Sequence, residues 1–387
     1  MAGKGGREVY RGRKKRLNLL GVVFGALAVL ALLLIVLFYG LQRYIVFEHD
    51  CISVVLPGAE SAQGEDGNSA ADGSLTQVNA ALEITDPDYS SLAATAGEGL
   101  GDMTAVYVPA SDVSLSGVGR YTSVMASYGA NALVLEVKPV SGQLVWASGS
   151  EVAASYATNG TVNLSQLVAA LKQENPDVYL VAQLSCCIDA LLAERCPTSA
   201  LRLSTGAAFV DTDGAWVDPY SDTVRSYLTE LCTELIGMGF DELLLHSLQM
   251  PVTDQAIGYT VQLSSTPTPE AAICGLAVEL TDSLDSYGVP VSVILDTMSL
   301  RDGRSSVSGQ NLEVFGKVFD RLCTATDSAW RSNVDLSLID KYLTLGDSAQ
   351  RYVPIMEYIP EGYTSCIIRV PESVLPASGT AGDNTAA

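Results

Sequence analysis

The feature that most constrains the fold is a regular alternation of two kinds of segment between residues 102 and 370. Short apolar runs bounded by turn residues alternate with longer segments whose apolar residues recur at helical spacing. The apolar runs are Thr104–Pro109, Ala132–Lys138, Val178–Ser185, Leu243–Leu248, Val289–Leu295 and Val353–Tyr358. The helical segments are Leu164–Gln173, Ser221–Met238, Pro269–Tyr287, Leu312–Leu322 and Leu336–Leu345. This alternation predicts parallel strands joined by helical crossovers, and therefore an α/β domain.

Two architectures share this alternation, an open doubly wound sheet and a closed (β/α)8 TIM barrel. A doubly wound dinucleotide-binding fold would carry a glycine-rich phosphate loop after its first strand. The sequence Pro109–Asp112 (PASD) follows that strand instead. A length of about 270 residues and at least six strand signals fit the barrel better. We therefore predict a (β/α)8 barrel over 102–370.

A long uncharged run precedes this domain. Residues 1–16 carry seven basic side chains and one acid, and no charged residue lies between Arg16 and Arg43. A helix of this length would be about 39 Å long, and a bilayer core is about 30 Å thick. A cleavable signal peptide would have an apolar run of only about 7–15 residues and a small-residue cleavage site. We therefore predict a transmembrane helix over 17–41, with 1–16 in the cytoplasm and the main domain outside the cell membrane.

The segments on either side of the predicted barrel lack the composition of a packed domain. Residues 42–101 contain one basic residue and are rich in glycine, alanine, serine and aspartate, which predicts a juxtamembrane segment followed by an acidic flexible spacer. Within it, 44–56 is strand-like and is expected to pair locally. Residues 371–387 predict a disordered tail.

Charge and cysteine content exclude several functions. The chain has 44 acidic and 22 basic side chains and a net charge of −22, which argues against a nucleic-acid partner. Its eight cysteines include no CxxC pair, and its two histidines are far apart in sequence. We expect neither a metal site nor a cofactor.

Four stretches resemble a family of glycoside-hydrolase-like domains related to the α-amylase-type barrels and carried by membrane-anchored bacterial proteins. Residues 216–251 read WVDPYSDTVRSYLTELCTELIGMGFDELLLHSLQMP, where the family has WVDPYS, a helix and GFDEIQFDYIRFP. Residues 131–142 (NALVLEVKPVSG), the strand 178–189 and residues 309–312 (GQNL) match three further family patterns in the same order. The resemblance implies a TIM barrel that acts on carbohydrate.

The departures from the family pattern fall at strand ends, where barrel enzymes keep their chemistry. His246 stands where the family has an acid, and Gln249 and Gln183 stand where it has arginines. The aspartate of the family's second strand corresponds to Glu136. Glycoside hydrolysis usually needs two carboxylates about 5–9.5 Å apart. If the missing acid is the nucleophile, as the amylase-like resemblance implies, His246 would disable that mechanism.

We take the mouth of the predicted barrel as the candidate site. The candidate catalytic residues are Glu136, His246 and Asp296, and the candidate substrate-binding residues are Lys138, Gln183, Trp216, Asp218 and Gln249. Three of these residues also have a structural explanation. A lone histidine at a strand end, such as His246, is more often a hydrogen-bonded structural group than a catalyst. Asp218 can cap the helix that follows it, and Trp216 can be a packing residue. Glu136 and Lys138 flank one strand residue, so they are expected on the same side, as an ion pair.

Two functions from different classes remain open. The first, which we favour, is a membrane-anchored barrel that has lost much of its catalytic set and binds a glycan or a cell-envelope partner. The second is an active glycosidase with a rearranged acid pair, such as Glu136 with Asp296 or Glu357. Fold alone does not choose between them.

Overall fold

A computed structural model describes residues 45–48, 51–54, 89–259, 267–325, 339–343, 348–359 and 362–377. The chain divides into two compact units, 1–79 and 80–387. In the first unit, strands Ile45–Glu48 and Cys51–Val54 pair in antiparallel fashion, within the segment expected to pair locally. The predicted arm 1–16 and span 17–41 lie outside the described residues. Among the residues that are described, no helix combines the length and apolarity needed to cross a bilayer.

The second unit contains a closed barrel of eight parallel strands. The strands are β1 (Thr104–Val108), β2 (Ala132–Lys138), β3 (Tyr179–Ser185), β4 (Glu242–His246), β5 (Val291–Leu295), β6 (Leu322–Ala325), β7 (Tyr352–Met356) and β8 (Cys366–Ile368). Each strand pairs with the next in sequence, and β8 closes the ring by pairing with β1, where Ile367 lies opposite Ala105. The predicted α/β barrel is therefore confirmed, and the open sheet is excluded.

Helices alternate with these strands. The longer ones are α1 (Leu115–Met125), α2 (Leu164–Glu174), α3 (Asp222–Met238), α4 (Pro269–Leu284) and α5 (Leu312–Val318). Shorter helices within the described residues include Glu151–Ser155, Ala190–Arg195, Thr297–Asp302 and Ser348–Arg351. Most of the longer helices begin at a side chain that accepts a hydrogen bond from the first turn, such as Ser114 for α1, Asn163 for α2 and Thr268 for α4.

Strand residues alternate between two apolar layers, which fixes the direction of each side chain. Ala105, Val134, Val181, Leu244 and Ile367 belong to a buried cluster inside the barrel. The intervening strand residues join a larger cluster between strands and helices. A residue two positions after an inward-facing one therefore also faces the barrel axis, unless a bulge intervenes.

A buried ion pair closes the end of the barrel where the strands begin. Arg321 Nε lies 3.1 Å from Glu242 Oε2, and both side chains are at most 2% exposed. Tyr179 Oη donates to Glu242 Oε2 at 2.9 Å, and Ser292 Oγ donates to Glu242 Oε1 at 2.6 Å. The Arg321 guanidinium also donates to the Gly101 carbonyl at 3.0 Å. The network links three strands and the segment that enters β1.

Packed residues extend past both predicted ends of the barrel domain. Within the predicted spacer, the backbone N–H groups of Thr95 and Ala96 donate to the Lys317 carbonyl at 3.0 and 3.3 Å. Within the predicted tail, the Pro376 carbonyl accepts from Arg120 Nε at 2.8 Å. The described domain therefore reaches from Tyr89 to residue 377, rather than 102–370.

Candidate functional site

Five side chains converge at the end of the barrel where the strands finish. They occupy inward-facing positions, each two residues beyond a residue of the inner apolar cluster. We call them the mouth cluster: Tyr107 on β1, Glu136 on β2, Gln183 on β3, His246 on β4 and Arg369 directly after β8. Active sites of TIM barrels lie at this end.

A hydrogen bond and two polar neighbours surround the carboxylate of Glu136. The Tyr107 hydroxyl lies near Glu136 and Gln183, since both side chains affect its pKa. The backbone N–H of Ala110 donates to Glu136 Oε2 at 3.0 Å. Burial raises the pKa of Tyr107, and the charge of Glu136 raises it further, so this hydroxyl stays protonated and remains a donor. Glu136 is thus oriented at the rim by the Ala110 backbone N–H, with the Tyr107 hydroxyl beside it.

His246 is half-buried at the end of β4. Burial lowers its pKa below the ordinary value; Glu136 and Asp213 oppose that shift, and Arg369 adds to it. The next residue, Ser247, has φ +54°, a left-handed conformation that is uncommon for a residue with a side chain. The chain therefore turns sharply at the rim, directly after the imidazole.

We expect the His246 imidazole to titrate below the ordinary histidine value of about 6.5. Burial disfavours the imidazolium in the folded state, so the unfolded chain binds this proton at a higher pH than the folded chain does. The contribution of His246 to the free energy of unfolding therefore decreases as the pH falls below about 6.5. Proton NMR of the two imidazoles should show this midpoint, and His246→Gln should remove that signal. Glu136→Gln should move the midpoint still lower, since it deletes a negative charge; an upward shift would contradict this arrangement.

Lys138 lies in the protein interior and not at the mouth. Its side chain is fully buried, with Nζ 2.8 Å from Asp189 Oδ2 and 2.7 Å from the Ser185 carbonyl. The register shifts between Glu136 and Lys138, which places Lys138 opposite the outward-facing Leu184. This bulge breaks the expected alternation, so Glu136 and Lys138 do not share a side and do not pair.

Trp216 and Asp218 are also buried, at 1% and 0% exposure. The Trp216 ring packs edge-on against Phe209, and the pyrrole nitrogen has no hydrogen-bond partner among the described atoms. Asp218 Oδ1 accepts from the backbone N–H of Tyr220 at 2.8 Å, which forms a turn before α3. Trp216 and Asp218, two residues of the WVDPYS motif, therefore stabilise the loop after β3. Their side chains are buried and do not line a ligand-binding surface in this structure.

Asp296 is used as a helix cap. Its Oδ1 accepts from the Ser299 backbone at 2.7 Å, and its Oδ2 accepts from the hydroxyls of Ser299, at 3.0 Å, and Ser308. The GQNL motif supports the same corner, because Gln310 Oε1 accepts from Asp296 N and its amide donates to the Leu248 and Ile294 carbonyls. The motif therefore ties the ends of β4 and β5 together.

The remaining candidates lie around the rim. Gln249 is half-buried, and its backbone lies near the buried thiol of Cys187. Glu357 is exposed directly after β7, in phase with the inward-facing Ile355. Asp327, another acid considered from the sequence, lies outside the described residues. In the described part of the chain, no group of three His, Cys, Asp or Glu side chains is placed to hold a metal ion.

Comparison with known proteins gives the family. Residues 105–336 match the profile of the family described as "Putative glycosyl hydrolase domain". The chain belongs to this family. The resemblance seen in the sequence is therefore confirmed, and the glycosyl hydrolase domain comprises most of the barrel. A search of curated proteins found no match.

Solved structures with a similar fold include three of different origin. A hypothetical protein from Ruminiclostridium thermocellum ATCC 27405 has 19% identity and a TM-score of 0.43 over 49% of this chain and 96% of its own. The GH20 β-N-acetylhexosaminidase from Streptomyces coelicolor A3(2) has 12% identity and a TM-score of 0.41 over 66% of this chain and 48% of its own. The Group IV chitinase from Ostrinia furnacalis has 13% identity and a TM-score of 0.36 over 66% and 65%. The chain spans about half of the hexosaminidase, and at these values the likenesses say nothing about activity.

Two residues of the mouth cluster, Tyr107 and Arg369, were not found from the sequence. Both could have been found from strand phase, because Tyr107 follows the inward-facing Ala105 by two positions and Arg369 follows Ile367 by two. The strand β8, which places Arg369, is only three residues long and gave no signal of its own.

Proposed function

We propose that this glycosyl hydrolase domain binds a glycan at the mouth of the barrel and has lost hydrolysis. The observation that carries the proposal is the imidazole of His246 at the rim of β4, where the family pattern has an acid. An imidazole with a lowered pKa is neutral near pH 7, so it does not supply the anion that stabilises an oxocarbenium-like transition state.

The other carboxylates near the mouth support this proposal. Asp296 accepts two hydrogen bonds from Ser299, in the helix that it caps, and one from Ser308, so its carboxylate is engaged within the protein. Glu136 is held by the backbone N–H of Ala110. Polar groups fixed in this way suit the recognition of sugar hydroxyls, because a carboxylate accepts hydrogen bonds without needing to change its protonation.

One observation favours the second candidate function, an active glycosidase. Glu357 follows β7 in the phase of the inward-facing residues and is exposed. With Glu136 it would supply two carboxylates, on strands that lie three positions apart around the ring. Under this alternative, Glu136→Gln and Glu357→Gln would each abolish sugar release, whereas binding alone predicts no release from any form of the chain.

Glu136→Gln is expected to weaken glycan binding by roughly tenfold or more, because a hydrogen bond to a charged acceptor contributes about 1.5–3 kcal/mol. The measurement is a dissociation constant for oligosaccharides that a glycan panel identifies for the unmodified chain. Glu372→Gln, which changes an exposed acid paired with Arg120, is the matched control and should leave the affinity unchanged. Equal affinities of the Glu136→Gln variant and the unmodified chain would contradict binding at the mouth.

We further propose that the domain is tethered outside the cell membrane by a helix over 17–41. The basic arm and the uncharged run support this orientation. A protease added to intact cells should remove the barrel and leave the arm protected. The barrel surviving on intact cells but not on lysed cells would reverse the proposed orientation.

A further inference from the structure

Arg369 is the cationic member of the mouth cluster. It follows β8, where its backbone N–H donates to the Met356 carbonyl at 2.6 Å, and its side chain is exposed. The centre of the guanidinium lies 5.4 Å from the centroid of the Tyr107 ring. Stacking on an aromatic face restricts the orientation of a guanidinium while its N–H groups stay available.

Arg369 has no salt-bridge partner in the described part of the chain. No carboxylate oxygen of the described residues lies within 4 Å of its guanidinium nitrogens, whereas four of the eight other described arginines, Arg120, Arg225, Arg301 and Arg321, have such a partner. Glu136, the acid of the mouth cluster, accepts from the backbone N–H of Ala110. Among the described residues, the mouth therefore offers a guanidinium with no carboxylate in contact with it.

We propose that the mouth binds a sugar residue carrying a carboxylate, such as a uronic acid, and that Arg369 is its partner. The inference rests on the proposed glycan-binding function and names the class of glycan. A guanidinium matches a carboxylate through two parallel N–H···O bonds, which gives orientation as well as attraction. Glu136 and His246 are left to contact the neutral hydroxyls of the same sugar.

The negative charge of the residues after 16 limits which carboxylate-bearing glycans can bind. Residues 1–16 have a net charge of +6 within a chain total of −22, so the remainder carries about −28. A uniformly charged polymer would be repelled over the screening distance of about 8 Å at physiological salt. The expected ligand therefore carries isolated carboxylates separated by neutral sugars.

The test compares paired oligosaccharides on the full chain. Each pair consists of an oligosaccharide that alternates glucuronic acid with a neutral sugar and the same compound with its carboxyl groups reduced to alcohols. The unmodified chain should bind the acidic member about tenfold or more tightly than the neutral one, and Arg369→Gln should bind both members equally. Arg369→Lys keeps the positive charge but loses the two parallel N–H donors of the guanidinium, so it should give an intermediate preference for the acidic member.

The control is Lys172→Gln. This change removes a positive charge that is paired with Asp241, the residue before β4, and should keep the full preference for the acidic oligosaccharide. Equal binding of both members by the unmodified chain, or a preference that survives Arg369→Gln, would overturn the inference and leave glycan binding intact. Failure to bind any member of any pair, acidic or neutral, would overturn the proposed function and this inference with it.

Discussion

Replacing Glu242 by alanine is expected to lower the free energy of unfolding by about 3–5 kcal/mol, because it leaves the buried guanidinium of Arg321 without its carboxylate. The loss is larger than that of one hydrogen bond, since Tyr179 and Ser292 also lose their acceptor. Denaturant unfolding of the full chain measures it.

A double variant separates the charge from the packing. Glu242→Leu combined with Arg321→Met removes both charges and keeps apolar volume, so it should recover much of the stability that Glu242→Ala loses. Asp302→Asn, at the half-exposed pair with Arg301, is the surface control and should hardly move the unfolding midpoint. A Glu242→Ala midpoint close to that of the unmodified chain would contradict the buried network.

Replacing Lys138 by methionine is expected to lower the free energy of unfolding by a similar amount, about 3–5 kcal/mol. The substitution keeps the apolar stem but leaves the Asp189 carboxylate buried beside an apolar group. Denaturant unfolding checks the loss, and the affinity for glycan in the folded variant should stay the same, because Lys138 has no surface at the mouth.

The matched control adds Asp189→Asn to the Lys138 change. An amide oxygen can still accept from the Leu192 backbone N–H and cap the helix Ala190–Arg195, while the unpaired charge is gone. The double variant should therefore be more stable than Lys138→Met alone. A Lys138→Met variant that unfolds like the unmodified chain but loses glycan affinity would place this lysine in the site instead.

The fold was largely readable from the sequence, because six barrel strands are long enough to show as apolar runs between helices. Strands β6 and β8 were missed since they contain only four and three residues, too few to show a period. The segment predicted as a helix over Leu312–Leu322 also ends early, at Val318, where the Phe319 carbonyl accepts from the buried Arg351. A contact across about 30 residues is invisible to a local pattern.

The site was readable only in part. Glu136, Gln183 and His246 were found because the family motifs and strand ends coincide there. Lys138 was misplaced because a bulge shifts strand phase by one residue, and a bulge depends on the neighbouring strand. Trp216 and Asp218 belong to the family motif, but in this structure the Trp216 ring packs against Phe209 and Asp218 forms a turn before α3.

Incubation of the bound glycan with the full chain in 18O-labelled water shows whether the mouth of the barrel hydrolyses the glycan that it binds. Hydrolysis of a glycosidic bond places one oxygen of water at the new reducing end or on the released sugar, and mass spectrometry detects this at low turnover. We expect no incorporation above the protein-free rate for a glycan that binds at the mouth. Incorporation that Glu136→Gln or Glu357→Gln abolishes would contradict it and establish an active glycosidase.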